Sequence, residues 1–229
     1  MSEQRLSHRF DIEWREGLRI AAALETPPVA AGRSETPGVV LAHGAGGNLD
    51  TAFLVEISQG LAARDIASLR FNFPYTEKRR RIPDPPVTLE ACYQAVARRG
   101  AELFPHGLFL GGKSMGGRIA SQMVAHLGKD LPAVRGLIFL GYPLHAPGKQ
   151  HQLRDQHLYD LRVPMLFIEG TRDAFADASL LQGVLDRLGD RAQVHWIEGG
   201  DHSFKVRGRK PAEVQAEILD AIAGFVIPK

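Results

Sequence analysis

Six short apolar runs recur along the chain, at residues 39–42, 68–73, 108–111, 136–142, 165–170 and 194–197, and a helical pattern fills all but one of the gaps between them. A strand that is apolar on both faces must be covered on both faces. Runs of this kind therefore belong in a mostly parallel sheet with helices packed against each side. The helical segments read at 53–64, 89–103, 115–127 and 178–188, and a closing helix at 211–226 begins with Pro211, which suits a first turn. Upstream, 10–14 and 18–24 flank Glu16-Gly17 and predict an opening hairpin, followed by a Pro- and Ala-rich loop at 27–37. The expected class is α/β, with a central sheet of about seven to eight strands.

At 229 residues, the chain suits one domain, 1–229, with a single buried sheet. A formal charge of +2 gives no reason to expect nucleic acid or a membrane as the main partner. No apolar run approaches the roughly 20 residues that cross a bilayer. The polar start lacks the apolar core of a secretory signal, and a single cysteine, Cys92, excludes an internal disulfide framework. A cytoplasmic location is the resulting expectation. Cys92 falls within a helical pattern and reads as a packed thiol, not a nucleophile.

Two connections are longer than the rest. Residues 74–87 hold four prolines and the basic run Lys78-Arg79-Arg80-Arg81, which reads as a solvated stretch more readily than as an anion contact. Residues 143–163 carry His145, His151 and His157 and are expected to form a small cap over the site. These histidines are spaced six apart and lack an i, i+4 pair, so no metal is expected.

Chemistry enters at Gly112-Lys113-Ser114-Met115-Gly116, a G-x-S-x-G element placed between the apolar run 108–111 and a helix. A chain that reverses so sharply holds its corner serine in a strained conformation, and nearly side-chain-free neighbours make room for it. The same segment, from Gly107 to Ser114, also satisfies the phosphate-loop pattern GxxxxGK[ST]. A phosphate loop needs free amides where this chain has Leu108-Phe109-Leu110, an apolar run that belongs inside a sheet. Nucleotide binding is therefore a remote alternative. Lys113 is left either on a helix face or favouring an anionic substrate.

In an open parallel sheet, ligands bind beyond the carboxyl ends of the strands. Two further candidates occupy such positions: Asp173 in Gly170-Thr171-Arg172-Asp173 and His202 in Gly199-Gly200-Asp201-His202. A serine hydroxyl is a weak nucleophile until an imidazole takes its proton, and the imidazole needs a carboxylate to fix its tautomer. Ser114, His202 and Asp173 are the expected nucleophile, base and orienting acid. Amides for the oxyanion are expected from Met115 and from the loop His43-Gly44-Ala45-Gly46, with Ala45 favoured over its neighbours. Asp177 reads as a helix N-cap and Asp201 as a turn residue. Tyr142 and His145, just after a strand, are placed at the site rim with His43, either contacting substrate or satisfying a hydrogen bond. No cofactor is expected.

These segments resemble α/β-hydrolases of the small, nearly cap-free kind related to dienelactone hydrolases. The closer resemblance is to a hydrolase-like family that includes a testis-expressed protein and a histone acetyltransferase complex subunit. It rests on His43-Gly44-Ala45-Gly46-Gly47, Leu69-Arg70-Phe71, the segment from Gly112 to Arg118, Tyr142-Pro143-Leu144-His145, and His195-Trp196-Ile197-Glu198 with His202-Ser203. The resemblance implies an α/β-hydrolase fold with a minimal cap and a serine hydrolase acting, through an acyl-enzyme, on small carboxylic esters, thioesters or lactones. A dienelactone hydrolase is expected to carry cysteine where this chain has Ser114. The family also includes proteins named for their complexes, so a catalytically inactive binding or scaffold protein on the same fold is the alternative.

Overall fold

The structure is a computed structural model that describes residues 6–27 and 37–227. Its strands form one eight-stranded sheet in the order β1-β2-β4-β3-β5-β6-β7-β8. The strands are β1 (Leu6–Arg15), β2 (Leu18–Thr26), β3 (Gly38–Ala42), β4 (Ser68–Phe71), β5 (Leu108–Lys113), β6 (Val134–Leu140), β7 (Met165–Gly170) and β8 (Ala192–Ile197). The hairpin β1–β2 is antiparallel, and β2 joins β4 antiparallel; every pairing from β4 to β8 is parallel. The principal helices are α1 (Ala52–Ala62), α2 (Pro74–Glu77), α3 (Pro86–Leu103), α4 (Met115–Leu127), α5 (Ala178–Leu188) and α6 (Pro211–Val226).

The apolar runs serve both faces, as their composition requires. Val40, Leu110, Phe139 and Phe167 point to one side and pack with Leu89, Val96, Ile119 and Leu185, which come from α3, α4 and α5. Their neighbours Val39, Leu41, Phe109, Ile138 and Ile168 point to the other and meet Leu54, Ile57, Ile218 and Ile222 of α1 and α6. Each fully buried side chain of this size stabilises the fold by about 1.5–3 kcal/mol. The alternation holds the register, because a one-residue slip would exchange the two cores.

Boundaries shift modestly from the sequence expectation. The run 68–73 ends as a strand at Phe71, because Pro74 opens the short helix α2 inside a connection expected to be loop. Helix α3 starts three residues early, at Pro86, where a proline at the first helical position costs no hydrogen bond. The loop expected at 27–37 lies outside the described residues except at its two ends. Among the described residues, no helix is long and apolar enough to cross a membrane. Lys78, Arg79, Arg80 and Arg81 are exposed, with Arg80 paired to Asp84. Cys92 is fully buried, and burial pushes its thiol far above the usual range.

Candidate active site

The site forms where β3, β5, β7 and β8 end. At the elbow, Ser114 has φ 51° and ψ −117°, a strained conformation for a residue bearing a side chain. The surrounding glycines follow from close backbone approach. A Cβ on Gly112 would lie 2.3 Å from the Ala42 carbonyl oxygen, and one on Gly116 would lie 2.5 Å from the same atom. The end of β3 is thus pressed between the last residues of β5 and the first turn of α4.

His202 and Asp173 meet Ser114 from two separate loops. The His202 Nε2 atom is 2.9 Å from Ser114 Oγ, and Nδ1 is 2.6 Å from Asp173 Oδ2. Asp173 Oδ1 accepts the Phe175 N–H at 2.7 Å, and the Phe175 ring lies on the imidazole with centroids 4.4 Å apart. Burial alone would raise the Asp173 carboxyl, but hydrogen bonds from His202, Glu169 and the Phe175 amide outweigh it and hold the group below its usual range. The sequence candidates Ser114, His202 and Asp173 are therefore brought together in one hydrogen-bonded chain. Asp177 instead caps α5, accepting from the Ser179 and Leu180 amides, and Asp201 accepts from the Ser203 and Lys205 amides in the turn that presents His202.

A cavity of about 420 Å³ opens beside Ser114, lined among others by Ala45, Thr51, Phe53, Leu54 and Phe175. Met115 is the first residue of α4, so its N–H has no acceptor within the helix. In the facing loop, the Gly46 amide donates to the Tyr75 hydroxyl and the Gly47 amide to the Gly44 carbonyl. Two side chains of the β4 end anchor this loop: Arg70 donates to the Leu49 carbonyl at 2.6 Å, and Asn72 accepts the Leu49 amide at 2.8 Å. Of the lining residues, Thr51, Phe53, Leu54 and Phe175 carried no sequence signal, since walls of a cavity are assembled from unrelated segments.

The three residues expected at the rim are all buried, which corrects that expectation. His43 braces the loop from beneath. Its Nε2 accepts the Phe73 amide at 3.2 Å, which leaves Nδ1 to donate to the Gly44 carbonyl at 2.8 Å, and burial pushes the imidazole down to about 4. Tyr142 lies in the core beside Phe139 and Phe167 and donates its hydroxyl to the Arg154 carbonyl at 2.6 Å. His145 accepts the Asp177 amide at 2.9 Å and gives its own amide to the Phe175 carbonyl, tying down the segment that follows Asp173. The placement failed because a residue just after a strand can turn inward as readily as outward. Residues 143–163 also contribute nothing to the cavity lining; they run beside α4, with His157 Nε2 2.8 Å from Ser121 Oγ and Leu158 in the core.

Lys113 ends β5 beside the His202 backbone, not on a helix face, and is one of the residues lining the cavity. Its Nζ donates to the His202 carbonyl at 2.5 Å and lies 4.9 Å from the centre of the Phe204 ring. Burial pushes this ammonium down to about 8 against the opposing pull of Glu169, Asp173 and Asp201. The carboxylate and imidazole donor atoms of Glu169, Asp173 and His202 lie within 4.8 Å of one another. Both imidazole nitrogens are engaged within the site, Nδ1 with Asp173 Oδ2 and Nε2 with Ser114 Oγ.

Solved structures of similar fold span this chain nearly end to end. A serine hydrolase without a lid from Xanthomonas campestris is 18% identical, covers 97% of this chain and 96% of its own, and has a TM-score of 0.74. A dienelactone hydrolase from Anabaena variabilis is 17% identical with 97% and 98% covered and a TM-score of 0.72. The esterase domain of a Rhodothermus marinus protein is also 17% identical, with 96% and 97% covered and a TM-score of 0.69. At such identities the likeness is one of fold. The family match reaches further, since residues 35–226 take in every element from β3 to α6, and by it the chain belongs to the alpha/beta hydrolase domain family.

Proposed function

We propose that this protein is a serine hydrolase that cleaves small carboxylic esters, thioesters or lactones through an acyl-enzyme. The carrying observation is the continuous run of hydrogen bonds from Asp173 through His202 to Ser114, at 2.6 and 2.9 Å, at the edge of a cavity. His202 Nε2 takes the Ser114 proton as Oγ attacks the acyl carbon, and ionised Asp173 stabilises the imidazolium that forms. The Met115 and Ala45 amides receive the oxyanion, a contribution of about 3–4 kcal/mol per donor to the transition state. His202 then protonates the leaving group. A water, deprotonated by the same imidazole, releases the acyl group and restores Ser114.

The cavity volume of about 420 Å³ supports a small acyl or leaving group, and the Phe53, Leu54 and Phe175 walls support an apolar one. The serine hydrolase, esterase domain and dienelactone hydrolase among the solved relatives support carboxylic-ester chemistry. Within the wider family, the motif segments favour affiliation with the hydrolase-like group that includes the testis-expressed protein and the acetyltransferase complex subunit. The test is fluorophosphonate labelling, followed by a panel of p-nitrophenyl esters of graded acyl length. Labelling abolished by Ser114→Ala, with turnover highest for short acyl chains, is the expected result. A folded protein that takes no label would overturn the proposal in favour of a non-catalytic binding protein.

A further inference from the structure

Glu169 is fully buried at the end of β7, four residues before Asp173. Its Oε2 accepts the Tyr142 amide at 2.7 Å, while Oε1 is buried with no N–H or O–H group directed at it. The carboxyl adjoins that of Asp173, with one oxygen of each and an imidazole nitrogen of His202 all within 4.8 Å of one another, close enough for the two acids to interact as hydrogen-bond partners. Two carboxyl groups can share a hydrogen bond only if one of them holds a proton. The donors around them indicate which one: Asp173 already accepts from the Phe175 amide and from His202, whereas Glu169 accepts from a single amide.

From this juxtaposition we infer that Glu169 is a positioning residue that keeps its proton at neutral pH and donates it to Asp173. This rests on the triad proposed above. The donated proton fixes Asp173 as the charged member of the pair and holds its Oδ2 toward His202 Nδ1. It also keeps a second negative charge away from the imidazole, which would otherwise hold its proton too tightly to return it to the leaving group. Burial and the adjacent Asp173 both push the Glu169 carboxyl well above its usual range. The charged groups facing it are Asp173 on its own strand's extension and Lys113 from β5, with His202 and Asp201 beyond them on the loop after β8. The Lys113 ammonium favours ionised Glu169, but its hydrogen bond is to the His202 carbonyl, and burial and the adjacent Asp173 outweigh its pull on Glu169.

Infrared spectroscopy of the whole protein at neutral pH, with Glu169→Gln and Glu169→Leu variants, tests the assignment. The expected result is a protonated-carboxyl band in the wild type that Glu169→Gln removes. Absence of such a band, or one that persists in Glu169→Gln, would overturn the inference. Kinetics on a short-chain p-nitrophenyl ester supply a second arm. Gln retains a donor, so kcat for Glu169→Leu should fall about 10- to 100-fold with KM little changed, and Glu169→Gln should recover most of that loss. Equal loss in both variants would show that the charge matters, not the proton, and would likewise overturn it. If the leucine variant fails to fold, the glutamine variant and the infrared band still decide. A wild type that cleaves no ester removes the proposed function, while the band continues to report on Glu169.

Discussion

On the proposed mechanism Ser114 cannot act without the His202 imidazole, whose position depends on Asp173 and, through the His202 carbonyl, on Lys113. For this arrangement of carboxylate, imidazole and hydroxyl, Asp173→Asn should lower kcat about ten-thousand-fold while leaving the fold intact, because the amide fixes the wrong tautomer. Steady-state kinetics with a short-chain ester checks this, and a loss under tenfold would remove Asp173 from its role. Lys113 acts at one remove. Its bond to the His202 carbonyl joins the residue before Ser114 to the loop that carries His202. Lys113→Met keeps the length and apolar stem but loses that donor, so kcat should fall about tenfold or more with a smaller change in KM. Fluorophosphonate labelling of Ser114 should slow in parallel, and an unaltered labelling rate would reduce Lys113 to a packing residue.

At the scale of elements, the strand-to-helix corner of β5 and α4 carries the tightest constraint. Gly116→Ala puts a Cβ against the Ala42 carbonyl, a clash with backbone that no rotamer change relieves. The expected loss is about 1–3 kcal/mol of stability, read from urea unfolding, together with most of the activity. The Asp177 cap of α5 provides the contrast: Asp177→Ala should cost about 1 kcal/mol by the same measurement and leave kcat unchanged. These differences explain what could be read in the sequence. Strands such as 165–170 were legible because apolar side chains cover two cores, and Ser114, Asp173 and His202 were legible because each follows such a strand. Glu169 was missed as a participant, although a lone acid ending an apolar run is itself a signal that something must satisfy it. The inward turns of Tyr142 and His145 depend on partners far along the chain, Arg154 and Asp177, which local patterns do not reveal. The segment 143–163 could not be placed, because it owes its position to α4 and not to its own periodicity.

For the whole molecule, the buried His43 and the half-buried His157 should make the fold less stable in mildly acidic solution. Burial pushes His43 and His157 each down to about 4, whereas an unfolded histidine titrates near 6.5. Above about pH 6.5 both states leave these rings neutral, and the groups contribute no pH dependence. Between about 6.5 and 4, the unfolded chain binds protons that the folded one refuses, so stability falls as the solution is acidified. The two imidazoles together contribute up to two protons to the slope, but Glu169, protonated in the folded state and ionised in the unfolded chain above about pH 4.5, offsets one of them, so the net slope approaches one proton, about 1.4 kcal/mol per pH unit. Urea unfolding at intervals from pH 7.5 to 4.5 should show this decline, and His157→Gln should remove close to one proton of the slope. His157 lies beside α4, with Ser121 and Tyr142 as partners, so its replacement leaves Ser114, Asp173 and His202 in place. Activity at pH 7.5 should therefore survive in that variant while its stability curve flattens. A slope that stays at its full value would mean that His157 is protonated in the folded protein well above pH 4.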